Sequence, residues 1–376
     1  MKHIEFNFNN RKASKLNSNK RRKSSFSQAF VLGASLLLSS AASARSESAQ
    51  DYKFDAKART QVVKAIVSEL QQGYVFPDKA KMLAQHFEQA STQASVQKLS
   101  KTHEFAHFLT SQLQDKTGDK HLVVEFSEEI MSETGSSEED VAAREAFEME
   151  MWRAHNFGVE KIERLRFNIG YLKLSAFGPV EEVGPLLASA MSLVNNMDSL
   201  IIDLRGNFGG NERTVQLLSS YLLNKRTHLL DMHKPRENRV EQHWSLDYVE
   251  GPKFAEDKDV YILVDSESFS AAEDFSYTMK NLKRATLVGE ATGGAANSGD
   301  MVRLDKHFSL FLPTARGVSP ITKTNWEGVG VQPDIKVSSE QALNEAQAAI
   351  LTKILKAEQD PRRKLRIEAR LAELRG

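Results

Sequence analysis

The sequence of 376 residues contains no cysteine, and neither basic nor acidic residues are in excess. The absence of cysteine excludes disulfides, a thiol nucleophile and a cysteine-bound zinc ion. Basic and acidic residues number 50 each, so the formal net charge is zero. A chain without a basic excess is not predicted to bind nucleic acid. No internal repeat is present, which favours a single module.

The only long apolar run is near the N-terminus, at residues 29–38. Eight basic residues and one acid precede the run, and Ala42-Ser43-Ala44 follows it. This order is typical of a secretory signal peptide over residues 1–44. A membrane anchor is the alternative, although the run is short for a span. Removal of residues 1–44 leaves 42 basic and 49 acidic residues, a net charge of −7. We therefore expect a periplasmic or secreted bacterial protein with no integral membrane segment.

The segment SFSAAEDF at residues 268–275 is the most informative part of the chain. It follows the apolar run 260–264, which predicts a buried strand, and it leads into a helical pattern that ends near Leu282. Ser270 is therefore predicted where a strand turns into a helix, beside unpaired backbone N–H groups. Acyl transfer needs such donors in place to meet an oxyanion. An ordinary helix N-cap is the simpler interpretation of a serine in this position.

Three further segments favour a catalytic role for Ser270 over that of an ordinary helix N-cap. The segment DLRGNFGG at 203–210 ends an apolar strand in a glycine-rich turn, which can approach a ligand closely. The segment GDKHL at 118–122 places His121 between a helical pattern and a strand. The segment WEGVGVQPDI at 326–335 contains Glu327.

Together these segments resemble the C-terminal-processing (tail-specific) serine peptidase family, which includes the tricorn core proteases and the interphotoreceptor retinoid-binding proteins. The similarity runs from about Phe54 to Val337 and includes the strand-like segment NIGYLKL at 168–174. It implies an α/β, crotonase-like spiral β-sheet core with an N-terminal helical domain. The family's PDZ insert is absent, because only about forty residues separate Phe126 from Asn168, too few for a domain of typical size.

The resemblance implies roles for individual residues. Ser270 matches the nucleophile, and the N–H of Ala271 with that of Gly209 or Gly210 matches the oxyanion hole. The processing peptidases use a lysine about two dozen residues after the serine, but the segment 289–297 contains none.

Tricorn-type members use a histidine and a glutamate instead of that lysine. His121 matches their general base and Glu327 matches the carboxylate that orients it. Tricorn-type sites have a serine before the histidine, whereas this chain has Lys120. The implied activity is a periplasmic serine endopeptidase with a polypeptide substrate, no cofactor and no metal; the oligomeric state stays open.

The domain organisation follows from composition and apolar periodicity. Residues 54–113 carry helical stripes such as Val62, Ile66 and Leu70. The prediction comprises a signal peptide (1–44), a helical domain leading into the His121 strand (50–126), an acidic linker or lid (127–160), a catalytic α/β core (161–340) and a charged C-terminal helix (341–376) that is interrupted at Asp360-Pro361.

Two alternative functions stay open at this point. The retinoid-binding members imply a non-catalytic binder of apolar small molecules, such as retinoids or fatty acids. Residues His103, Glu104 and His107 match the H-E-x-x-H pattern of zinc peptidases, which puts two imidazoles on one helix face. A catalytic zinc needs a third protein ligand, and no clear candidate follows this helix.

Overall fold

The computed structural model describes residues 52–128, 130–131 and 138–376. The predicted signal peptide, residues 1–44, lies outside the described residues. In the described part of the chain, no helix is both long and apolar enough to cross a membrane.

Four helices form the N-terminal part: α1 (Ala56–Gly73), α2 (Pro77–Glu88), α3 (Ala90–Lys98) and α4 (Thr102–Thr117). The side chain of Asp55 caps α1 by accepting hydrogen bonds from two backbone N–H groups of its first turn. The predicted stripe of Val62, Ile66 and Leu70 is fully buried. These helices share one apolar core with a β-sheet, whose contributing side chains include Val124, Phe308, Leu310 and Leu312.

That smaller sheet is antiparallel and has the order β1-β10-β5-β6, with β9 also paired to β10. Its strands are β1 (Val123–Phe126), β5 (His228–Lys234), β6 (Arg239–Trp244), β9 (Asn297–Arg303) and β10 (Phe308–Val318). The strand after His121 is therefore part of this sheet, because β1 pairs with the central strand β10. This pairing joins the N-terminal helices to the rest of the fold.

The larger sheet has the order β11-β8-β7-β4-β3-β2 and is parallel except for the β2–β3 pair. Its strands are β2 (Val159–Leu165), β3 (Ile169–Leu174), β4 (Ser199–Asp203), β7 (Asp259–Val264), β8 (Thr286–Gly289) and β11 (Ile335–Lys336). All five residues of β4 are buried, as expected for a strand covered on both faces.

Helices cover both faces of this sheet. On one face α6 (Val180–Val194), α7 (Glu212–Leu222) and α8 (Ala271–Asn281) pack over residues such as Leu200 and Ile202. On the other, α9 (Ser339–Ala357) packs over Ile201 and Leu263. The carboxyl ends of the adjacent parallel strands β4 and β7 lie at the same edge, where α/β folds bind ligands.

Helices are also present in the segments on either side of the α/β core. Part of the acidic segment expected as a linker or lid forms a helix, α5 (Glu138–Ala154). The C-terminal segment consists of two helices, α9 and α10 (Pro361–Arg375), because Pro361 cannot continue the first helix and instead starts the second.

Candidate active site

Ser270 is the last residue of the turn that joins β7 to α8, and its backbone conformation is unusual. Its φ is 52° and its ψ is −115°, a region that residues with a side chain rarely occupy. Holding a non-glycine residue there costs about 1–3 kcal/mol, so neighbouring contacts must fix it. Sharp strand-to-helix turns that present a nucleophilic serine store strain in the same way.

Hydrogen bonds to the neighbouring turn after β4 hold this conformation. The Ser268 hydroxyl donates to the Leu204 carbonyl at 2.7 Å. The Phe269 N–H donates to the Asn207 carbonyl at 2.9 Å. The two segments singled out in the sequence, 203–210 and 268–275, therefore form one structure.

Glu273 fixes the same turn through its side chain, a role that the sequence analysis did not predict. Its fully buried carboxylate accepts hydrogen bonds from the Ser270 N–H at 3.0 Å, the Gly294 N–H at 2.7 Å and the Ala295 N–H at 2.9 Å. The Thr292 hydroxyl donates to it at 2.5 Å. Burial raises the pKa of Glu273, whereas these four donors favour its charged form. The carboxylate thus connects the serine turn to residues 292–295.

The glycine turn lies directly against Ser270. A Cβ on Gly209, whose φ is +103°, would stand 2.8 Å from the Cβ of Ser270. A Cβ on Gly210, whose φ is +130°, would stand 2.2 Å from the Phe177 carbonyl oxygen. Both positions therefore exclude any side chain, which explains the glycine pair.

The hydrogen bonds distinguish the two glycines that the sequence left as alternatives for the oxyanion hole. The Gly209 N–H already donates to the Asn207 side-chain oxygen at 2.9 Å. Within the described residues, the N–H groups of Gly210 and Ala271 have no acceptor. These two N–H groups, and not that of Gly209, are therefore available to an oxyanion.

His121 lies close to the serine turn, although no hydrogen bond joins it to Ser270 within the described structure. Its side chain is 8% exposed, and its ring centroid lies 5.0 Å from that of Phe269, the residue before the serine. On another side the ring stacks on Phe311 of β10 at 5.7 Å. Burial lowers the pKa of His121, which keeps the imidazole neutral and able to accept a proton.

Asp119 is a member of the site that the sequence did not reveal. Its carboxylate is buried and lies 3.7 Å from Nδ1 of His121. It accepts hydrogen bonds from the His121 backbone N–H at 3.0 Å, the Tyr74 hydroxyl at 3.0 Å and the Asn297 side-chain amide at 2.9 Å. The two side-chain donors come from distant segments, so spacing in the sequence gives no signal of them. Asp119 fixes the loop that carries His121.

Glu327 lies in the same cluster. A carboxylate oxygen of Asp119, a ring nitrogen of His121 and a carboxylate oxygen of Glu327 lie within 4.8 Å of one another. One Glu327 oxygen accepts from the Ala296 N–H at 2.6 Å. Its other oxygen and Nδ1 of His121 are both buried without a hydrogen-bond partner in the described structure. Burial, with a contribution from the Asp119 charge, raises the pKa of Glu327 to about 7.

Lys120 occupies the position where tricorn-type sites have a serine. Its ammonium group donates to the Gly293 carbonyl at 2.5 Å, on the segment that Glu273 also holds. Lys120 therefore links the loop of His121 to the segment after β8. At this position the chain therefore has a link between two segments and no hydroxyl next to His121.

The histidines of the H-E-x-x-H pattern lie elsewhere, on α4. His103 contacts the Phe126 ring at 5.1 Å, and the Glu104 carboxylate pairs with Lys101 at 2.6 Å. Among the described residues, His103 and His107 belong to no group of three possible metal ligands.

Two family models match separate parts of this chain. Residues 168–337 match peptidase family S41, and residues 54–154 match the N-terminal domain of peptidase S41 in eukaryotic IRBP. The chain is 27% identical to the carboxy-terminal-processing protease of Bartonella bacilliformis over 188 residues, which are 48% of this chain and 41% of that protein. It spans less than half the length of the curated relatives that it matches.

Solved structures show the same fold. A lipoprotein from Streptococcus agalactiae superposes with a TM-score of 0.53 at 17% identity, covering 78% of this chain and 96% of that one. Mature CPAF superposes with a TM-score of 0.53 at 14% identity, covering 76% and 94%. The predicted crotonase-like core is confirmed. The two matched segments together make up more than half of the chain, which therefore belongs to peptidase family S41.

Proposed function

We propose that this protein is an endopeptidase that hydrolyses polypeptides through Ser270. The observation that carries the proposal is the backbone of Ser270, which is held at φ 52° beside two N–H groups that have no acceptor among the described residues. An ordinary N-cap does not require a strained residue. A serine presented beside two free donors is what acyl transfer requires.

The proposed reaction starts when His121 accepts the proton of the Ser270 hydroxyl as the oxygen attacks the peptide carbonyl carbon. The N–H groups of Gly210 and Ala271 stabilise the resulting oxyanion. Collapse of the tetrahedral intermediate breaks the C–N bond, and His121 returns its proton to the leaving amine. Water then repeats the sequence on the acyl-enzyme, which releases the acid and restores Ser270.

Two carboxylates would support the imidazole in this cycle. Glu327, with one oxygen free of hydrogen bonds, is proposed to orient the ring and stabilise its charged form. Asp119 is proposed as a positioning residue that acts through the backbone of His121 and through its own charge at 3.7 Å.

Kinetics on casein and on short peptides test this proposal. Replacing Ser270 or His121 by alanine should each lower kcat by about three orders of magnitude or more, and the double variant should lose little more, because such residues act as one unit. Glu327→Gln should lose less, since it keeps the shape of the side chain. Full proteolysis by the Ser270→Ala variant would reject the assignment.

The site of action is proposed to be the periplasm or the exterior of a bacterial cell. The basic segment, apolar run and Ala42-Ser43-Ala44 support export with cleavage after Ala44. N-terminal sequencing of the exported protein should begin at Arg45. An intact N-terminus in a membrane fraction would indicate an anchor instead.

A further inference from the structure

A cavity of about 220 Å³ opens beside Ser270, and both proposed oxyanion donors, Gly210 and Ala271, line it. A peptide carbonyl held by these donors would therefore place a neighbouring side chain in the cavity. His121, which would protonate the leaving amine, is not among the lining residues. The cavity thus fits the residue on the acyl side of the scissile bond.

One part of the cavity wall is apolar and firmly held. Leu230 and Met232 of β5 form part of the lining, and both are buried in the main core. Trp326 contributes another wall, and its indole N–H donates to the Ala295 carbonyl at 2.9 Å. Such walls suit the methylene groups of a long side chain.

Two carboxylates also line the cavity, and they determine its chemistry. Asp274 lies on α8 one helical turn after Ser270, and Glu212 is the first residue of α7. Within the described residues, neither forms an ion pair; the neighbouring cation Arg213 is paired with Glu181 at 2.7 Å. Burial and the charge of Glu212 raise the pKa of Asp274 to about 7.

An acid near a helix N-terminus is often explained by the helix dipole alone. A solvent-exposed acid would provide that stabilisation without a desolvation cost, whereas Asp274 is partly buried on the wall of the cavity. A cation entering the cavity would offset this cost by pairing with the carboxylate.

We propose that this cavity binds a lysine or arginine side chain immediately before the scissile bond, with Asp274 as its acceptor and Glu212 as a second negative charge. This inference rests on the proposed peptidase function. The walls would hold the aliphatic part of the side chain, and Asp274 would meet its cationic end. The substrates would accordingly be cut after basic residues.

Fluorogenic peptides that differ only in this residue, lysine against uncharged norleucine, test the proposal. The wild-type protein should cleave the lysine peptide with a kcat/KM about tenfold or more higher, since charge-assisted contacts in a partly enclosed pocket discriminate by about this factor. In Asp274→Asn the ratio should fall about tenfold, and in Glu212→Gln by less. Asparagine keeps an oxygen for the Thr278 hydroxyl, which donates to Asp274 at 3.2 Å.

The exposed acid Glu182 of α6 provides the matched control, and Glu182→Gln should keep the wild-type ratio. Preference for norleucine in the wild-type protein, or an unchanged ratio in Asp274→Asn, would overturn the inference while leaving Ser270 as the nucleophile.

Benzamidine provides a measurement that does not depend on turnover. It should bind to the wild-type protein and to Ser270→Ala alike, and about tenfold more weakly to Asp274→Asn. If no peptide is cleaved, the proposed function fails, and benzamidine binding still decides whether the cavity selects cations. Equal or absent binding in wild type and Asp274→Asn would overturn the inference.

Discussion

The carboxylate of Glu273 accepts a hydrogen bond from the backbone N–H of Ser270 at 3.0 Å, three residues earlier in the chain. The same carboxylate accepts three more hydrogen bonds from Thr292, Gly294 and Ala295. The strained serine is therefore attached to a second segment of the site through one buried acid.

The first prediction concerns Glu273. Its replacement by alanine would leave three N–H groups and a hydroxyl without their acceptor, at a cost of about 3 kcal/mol or more. The Glu273→Gln variant should fold, because glutamine retains one acceptor oxygen, but its kcat should fall about tenfold or more as the serine turn relaxes. Thermal unfolding and peptide kinetics measure both effects.

The exposed acid Glu267 of the same turn is the control, and Glu267→Gln should behave as wild type. Wild-type kcat in Glu273→Gln would show that the fixed turn is not needed for turnover.

The second prediction separates crowding from backbone strain in the glycine turn. Gly209→Ala places a methyl group 2.8 Å from the Cβ of Ser270, so kcat should fall about a hundredfold or more. Gly206 has a φ of +72° and open space around it, so Gly206→Ala should cost only about 1 kcal/mol of stability. Equal activity of the two variants would contradict the packing described for Gly209.

The third prediction is a pH dependence. The role proposed for Glu327 requires its charged form, and its pKa is raised to about 7. The kcat/KM value should therefore rise as the pH increases through about 7. In Glu327→Gln the rise of kcat/KM with pH should reflect the deprotonation of His121 alone. Because burial lowers the pKa of His121, this rise should occur at lower pH than in the wild-type protein.

Peptide hydrolysis assays from pH 5 to 9 on the wild-type protein and on Glu327→Gln measure this shift. If kcat/KM rises at the same pH in Glu327→Gln as in the wild-type protein, Glu327 is not the group whose ionisation controls activity.

The fourth prediction concerns metal. Treatment with EDTA should leave casein hydrolysis intact, because the proposed reaction uses Ser270 and His121 without an ion. Replacement of both His103 and His107 by alanine should be nearly neutral, since both side chains are exposed on α4. Loss of activity in both experiments would favour the zinc peptidase hypothesis.

Sequence alone predicted the parts of this molecule that depend on local pattern. The stripe of Val62, Ile66 and Leu70 indicated a helix, and the structure buries all three residues in α1. The apolar runs before Asp203 and Asp265 predicted the strands β4 and β7. The crotonase-like core followed from the order of four motifs, and the solved structures confirm it.

Contacts between distant segments could not be predicted in this way. Tyr74 and Asn297 meet at Asp119 from 45 and 178 residues away. Likewise, the sequence does not distinguish the adjacent glycines Gly209 and Gly210. The hydrogen bond from the Gly209 N–H to the Asn207 side chain does, because it leaves the Gly210 N–H as the available donor. The sequence also gives no indication that Asp274 and Glu212 line the same cavity, because they lie on different helices.

Ser270 is proposed as the nucleophile, and covalent labelling tests this role most directly. A serine-reactive phosphonate followed by peptide mapping should place one label per chain on Ser270. The Ser270→Ala variant should take up no label, and His121→Ala should react far more slowly. A label on another residue, or undiminished labelling of Ser270→Ala, would contradict the account. An unlabelled, inactive wild-type protein that binds retinoid or fatty ligands would favour the binding-protein alternative.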